Sequence, residues 1–137
     1  MKGSYILILR LAESRECKIG KLGTILFKKG YYAYVGSAMN SIEKRILRHL
    51  SKNKRFHWHI DYLLKISHIE DIFYKESERK EECDIAAIMQ REFSSIPNFG
   101  SSDCSCKSHL FFSTSKERFI EKCKRMGMMQ FYKRSKR

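Results

Sequence analysis

From Ser4 to Leu11 the chain is an almost unbroken run of Tyr, Ile and Leu, interrupted at Arg10. Such a run predicts a buried strand. Gly20 and Gly23 punctuate the next stretch, and Gly23–Phe27 reads as a second strand. Lys28-Lys29-Gly30 is a turn, and Tyr31–Val35 is a third strand ended by Gly36. Short links between these runs predict a small antiparallel meander. Polarity then changes period. Asn40 offers a helix N-cap, with Glu43 placed as a capping-box acid. The helix continues to about Ser51, and Ile42, Ile46 and Leu50 form its apolar stripe at four-residue spacing. Asn53-Lys54 breaks it. Phe56–Lys65 predicts a short helix and Ile66–Tyr74 another strand. Glu78–Ile96 is the clearest helix and ends at Pro97-Asn98. Asn98–Ser108 is a loop, Leu110–Phe112 a short strand, and Ser115 caps a last helix to about Arg125. The expected architecture is one compact α/β (α+β) domain: a small, mainly antiparallel sheet flanked by helices. No repeat or linker divides it.

Composition narrows the class. Hydrophobic residues make up 42% of the 137 residues and aromatics 12%, enough for a real core. No apolar run approaches the roughly 18 residues of a membrane helix. The N-terminal run lacks a signal-peptide layout, so a cytoplasmic protein with no membrane role is expected. The formal charge of +13 suits a polyanion, with nucleic acid as the expected partner. The alternative is a Lys-rich surface that serves solubility alone. From Ser115 to Arg137 there are nine Lys/Arg against two Glu. The final Lys133–Arg137 either holds phosphates without sequence preference or is simply solvated. Five cysteines, an odd number, argue against a disulfide framework. Cys17 and Cys123 stand isolated.

Three constellations carry candidate chemistry. Gly3-Ser4-Tyr5 opens the first apolar run and Tyr34-Val35-Gly36 closes the third. A basic helix comes next, in which Arg45 and His49 lie one turn apart on the same side. Further on stand Lys54-Arg55-Phe56-His57-Trp58-His59-Ile60-Asp61, Glu82-Cys83, and Phe99-Gly100-Ser101-Ser102-Asp103-Cys104-Ser105-Cys106-Lys107-Ser108-His109-Leu110. Together these motifs resemble the GIY-YIG nuclease superfamily, and in particular a largely uncharacterised archaeal branch of the Uri-type endonucleases. The resemblance extends from Gly3 to Phe112. Ser4 stands where the first motif usually has isoleucine. An inserted strand and turn around Cys17–Phe27 lengthens the gap between the two tyrosine motifs.

That resemblance implies a metal-dependent endonuclease that hydrolyses phosphodiester bonds, with DNA ahead of RNA as substrate. Tyr5 or Tyr34 would activate water. Arg45 and His49 would hold and polarise the phosphate, for which a guanidinium fork is well suited. Glu82 would bind Mg²⁺ or Mn²⁺ through hard oxygen ligands. Glu81 and Glu92 compete for that place, but only Glu82 projects with Ile85, Ala86, Met89 and Phe93. A carboxylate on an apolar face needs a partner. Lys44, Arg48, Lys52, Lys54 and Arg55 would contact nucleic acid, with a solvated helix charge as the alternative for Arg48. A non-catalytic nucleic-acid-binding module on the same fold is the rival reading.

Two further groupings stay open. Cys83, Cys104, Cys106 and His109 suit tetrahedral zinc, although Cys104-x-Cys106 is tighter than the usual spacing. The alternative is buried thiols around a hydrogen-bonded loop. If residues 57–61 are extended, His59 and Asp61 share a side and can form a His–carboxylate pair; the alternative is that His57 and His59 flank Trp58 as packing or hydrogen-bonding residues. Trp58 reads as core.

Overall fold

A computed structural model describes residues 1–132. The elements, in chain order, are β1 (Gly3–Leu11), β2 (Arg15–Lys18), a 3-10 turn (Gly20–Leu22), β3 (Thr24–Phe27), β4 (Gly30–Ala38), α1 (Ile42–Leu50), α2 (His59–Leu64), β5 (His68–Glu76), α3 (Glu82–Gln90), β6 (Ser94–Ser95), β7 (Leu110–Ser113), α4 (Lys116–Arg125) and β8 (Met129–Gln130). The main sheet runs β6-β7-β4-β1-β5-β8, with every pair antiparallel. The protein is therefore α+β with a mainly antiparallel sheet, as expected.

β1 is central because nearly all its side chains are apolar, so both faces can be buried. One face carries Tyr5, Leu7, Leu9, Tyr32 and Tyr34 against Ile42 and Ile46 of α1 and Ile60 and Leu63 of α2. The other carries Ile6, Ile8, Ala33 and Val35 against Ile85 and Met89 of α3 and Phe119 and Cys123 of α4. Helices thus cover both faces.

Several expectations are corrected. Gly23–Phe27 does not extend the meander: β3 pairs with β2 in a separate hairpin. The α1 cap is Ser41 rather than Asn40, and its Oγ accepts from the Lys44 N–H at 3.1 Å. Glu43 accepts instead from the Met1 amine at 2.9 Å. The buried stripe of α1 is Ile42, Ile46 and His49, with Leu50 only half-buried. The long helix 78–96 shrinks to Glu82–Gln90, because Ser94-Ser95 pairs with Phe111-Phe112. Lys133–Arg137 lies outside the described residues. Among the described residues no helix is long and apolar enough to cross a membrane.

Candidate active site and metal-ligand cluster

Of β4, β7 pairs only with Tyr31–Tyr34, so among the described residues the last part of β4 has β1 on one side and no strand on the other. A free strand edge exposes backbone groups that need partners. The Val35 carbonyl is met by His109 Nδ1 at 3.1 Å, and the Val35 N–H donates to the His109 carbonyl at 2.9 Å. The Ser37 carbonyl accepts from Arg45 Nη1 at 3.0 Å. The open edge therefore draws in a histidine from one side and an arginine from the other. Between them lies a cavity of about 510 Å³, lined by Tyr5, Tyr34, Ser37, Arg45, Trp58, Glu82, Cys83, Asp103, Cys104 and His109 among others.

The two tyrosines meet through strand register. Tyr5 pairs with Gly36 and Leu7 with Tyr34, which puts both rings on one face. A Cβ on Gly36 would lie 2.5 Å from Tyr5 Oη, so only glycine lets the ring pass. Burial raises both phenols far above their usual range. Arg45 pulls each of them back down, while Glu82 adds to the rise.

His49 is 3% exposed and lies behind Tyr5 rather than in the cavity. Its Nε2 shares a 2.7 Å hydrogen bond with Tyr5 Oη. Burial, then the Lys54 charge, lowers its pKa to about 3, so the ring is neutral. Direct contact with a phosphate, expected from its place beside Arg45, does not fit this position. His49 contacts the tyrosine instead.

Arg45 and Arg48 part company. Both guanidiniums lie over the Trp58 ring, 4.5 and 4.4 Å from its centre. Arg45 lines the cavity. Arg48 forms a fork with fully buried Asp61, at 2.9 and 3.0 Å. Asp61 also accepts the His57 and Trp58 N–H groups at 2.7 and 2.9 Å and so starts α2. Burial alone would raise the Asp61 pKa, but Arg48 and the two N–H groups outweigh it and hold it below the usual carboxylate range. Arg48 is therefore committed to the fold, the His59–Asp61 pair does not form, and His57 and His59 serve as packing and hydrogen-bonding residues instead. His59 Nδ1 accepts from the Gly100 N–H at 2.9 Å. Trp58 is half-buried: it packs against the core and also forms part of the cavity wall. Lys54 Nζ caps the carbonyls of Arg48 and His49 at 3.3 and 2.8 Å. Lys44, Lys52 and Arg55 are exposed.

Glu82 opens α3 with its carboxylate toward the cavity, accepting from Ser37 Oγ at 2.9 Å. Its other oxygen lies 3.8 Å from His109 Nδ1. The rival acids are engaged elsewhere, Glu81 with Lys75 and Arg79, and Glu92 with Arg118 and Lys122. One carboxylate, nearby hydroxyls and open volume fit a Mg²⁺ or Mn²⁺ ion that keeps several waters. Sequence reasoning missed Ser37 and Asp103. The signal for Asp103 was available: it is the one acid inside a cysteine-bearing loop.

On the same wall, Cys83, Cys104, Cys106 and His109 place one ligand atom each within 4.8 Å of one another. His109 Nε2 is 3.4 Å from Cys104 Sγ and 3.9 Å from Cys83 Sγ. A carbonyl accepts but cannot donate, so Nδ1 carries the ring proton toward Val35. The Nε2 lone pair then faces the thiols. Metal-binding histidines are oriented in this way, with the far ring nitrogen donating to a carbonyl or carboxylate. The cluster can hold a metal ion. Burial and the neighbouring thiols push Cys83 up to about 12.

A family model described as a domain of unknown function, DUF123, matches residues 4–131. The chain belongs to this family. The DUF123 match spans every element from β1 to β8. No curated protein matches the chain, and no solved structure matches it.

Proposed function

We propose that this DUF123 domain is a metal-dependent endonuclease that hydrolyses phosphodiester bonds in nucleic acid, DNA ahead of RNA. The observation that carries the reading is the meeting of Tyr5, Tyr34, Arg45 and Glu82 on one cavity. Arg45 supplies charge for the developing phosphorane, held in place by Trp58 and the Ser37 carbonyl. Tyr5 would accept the proton of the attacking water as its phenolate, the form that the Arg45 charge favours against burial. In the Nε2–H tautomer, His49 donates to the Tyr5 oxygen and favours the phenolate. Mg²⁺ or Mn²⁺ at Glu82 would supply Lewis acidity at the phosphate. The formal charge of +13 supplies non-specific affinity for the substrate backbone.

In the same reading the Cys/His cluster holds structural zinc. Cys83, Cys104, Cys106 and His109 would supply all four ligands of a structural zinc site, with none left over for chemistry. Bound there, the ion would tie Cys83 of α3 to the loop before β7, on the wall where Glu82 sits.

The test is a cleavage panel of single-stranded, duplex and branched nucleic acids with Mg²⁺ or Mn²⁺, using the wild-type chain beside Glu82→Gln. Metal-dependent cutting that Glu82→Gln abolishes, with affinity nearly intact, supports the endonuclease. Binding without cutting by either protein favours the non-catalytic module.

A further inference from the structure

The cavity is one end of a longer trough. Cys104 lines both the cavity and an adjoining space of about 470 Å³. That space shares Lys21, His59 and Ser102 with a third of about 1080 Å³. The third space shares Phe56 and Lys65 with a fourth of about 450 Å³ that reaches Lys52 and Lys54. One wall is the β2–β3 hairpin with its 3-10 turn, and the other is α2 with the segment before it. Cys17 Sγ donates to the Tyr62 carbonyl at 3.7 Å and holds the walls together. A Cβ on Gly20 would lie 3.3 Å from Tyr62 Oη, and its φ of +47° also suits glycine, so Lys21 is set close to α2.

The lining combines two kinds of group. Arg15, Lys18, Lys21 and Lys65 face the largest segment, against a single carboxylate, Glu16. Aromatic surface lies among them. Phe56 is 36% exposed and packs edge-on against Tyr62 at 4.9 Å. Exposed His57 packs against Trp58 at 4.9 Å. A duplex turns phosphates outward and keeps its base faces stacked inside, so it could use the lysines but not the rings. An unpaired strand offers both phosphates and open π-faces.

We infer that the trough between the β2–β3 hairpin and α2 is a binding track for single-stranded nucleic acid. It leads the unpaired strand to the Tyr5–Arg45–Glu82 cavity, and as a substrate assignment it rests on the endonuclease reading. Phosphates follow Arg15, Lys18, Lys21 and Lys65, while a base stacks on Phe56. The substrate is then unpaired, or locally opened, DNA or RNA.

The test is fluorescence anisotropy on the full chain carrying Glu82→Gln, without added divalent ions, so that no cleavage is needed. The probes are a labelled oligothymidylate of roughly 15 nucleotides, about one site size, and a labelled duplex of the same length. Phe56→Ala is expected to weaken single-strand binding roughly tenfold, as for loss of one stacked base. Duplex binding should be unchanged. Lys18→Glu with Lys21→Glu should lower the single-strand salt slope by about 1.4, for two lost phosphate contacts. Both lysines are exposed, so folding is not at stake. Equal losses for duplex and single strand, or displacement of the oligonucleotide by polyglutamate at matched charge, would overturn the track. A selective loss with Phe56→Ala, when the chain with Glu82 intact cuts nothing in the cleavage panel, keeps the track and removes the endonuclease. If the chain with Glu82 intact cuts duplex alone in the cleavage panel, and Phe56→Ala leaves that cutting untouched, the endonuclease stands and the track falls.

Discussion

The two halves of β4 belong to one continuous strand but have different neighbours. Tyr31–Tyr34 pair with β1 on one side and β7 on the other. Val35–Ala38 pair with β1 alone among the described residues. In the first half strands satisfy the backbone, and side chains such as Tyr32 and Ala33 are left to build core. In the second half the Val35 and Ser37 carbonyls must find side-chain donors, and His109 and Arg45 answer them. The sheet gives up pairing there, and chemistry gathers in its place.

The largest effect should come from dismantling the proposed zinc cluster on the open half. Stripping metal with a strong chelator, or Cys106→Ser, should cost on the order of 5 kcal/mol and lower Tm by roughly 10 °C or more. Scanning calorimetry beside elemental analysis reads this; unchanged Tm in metal-free protein would leave the thiols as packing groups. The paired half predicts a contrasting result. Phe111 is 0% exposed, and Phe111→Ala should cost about 3–5 kcal/mol in denaturant unfolding. Metal content per folded chain should stay as it was. If metal is lost as well, the two halves are not separable.

Next comes Arg45→Ala. It should slow the proposed cleavage roughly 10²–10³-fold, about 3–4 kcal/mol of barrier, by analogy with lost transition-state donors. Chemical unfolding should show a far smaller change, of order 1 kcal/mol for the lost hydrogen bond and stacking. A collapse in stability matching the loss of rate would make Arg45 a structural residue instead.

The smallest effect is a pH slope from His49. Its folded pKa is lowered to about 3, first by burial and then by Lys54. The unfolded value is near 6.5. Below about 6.5 the unfolded chain takes up a proton that the folded chain refuses, so stability falls, by up to about 1.4 kcal/mol per pH unit. Above that pH the contribution is complete. Asp61, whose pKa is lowered, loses its own contribution only below about 4, so the windows separate. Unfolding curves of His49→Gln should be flatter between roughly pH 6.5 and 4 than those of the parent. An unaltered slope would mean that the ring is protonated in the folded state.

The same contrasts separate local from non-local information in the sequence. β1, β4, α1 and α4 were legible because their apolar period or caps act locally. β2 was not: Arg15-Glu16-Cys17-Lys18 has no buried residue and so carries no apolar alternation, although its hairpin with β3 is local. The overlong helix before Pro97 failed for a different reason. Ser94-Ser95 carries helical pattern but finds a strand partner in β7. At the site, Tyr5, Tyr34, Arg45 and Glu82 were legible through motif and helix face. The burial of His49 and the diversion of Arg48 to Asp61 depend on contacts between separate segments, which no local spacing encodes.

Gly36 and Tyr5 have a consequence for descent. A side chain at 36 would strike the Tyr5 ring at 2.5–2.6 Å, and that ring, 1% exposed and pinned by His49, has nowhere to swing. Position 36 therefore cannot drift while Tyr5 is in place. A lineage that first trades Tyr5 for a smaller residue frees position 36 to acquire a methyl or more. Once it does, the tyrosine cannot return until the glycine has been restored. The pair works as an epistatic ratchet: loss of the phenol is easily made permanent, and its recovery requires two changes in a fixed order.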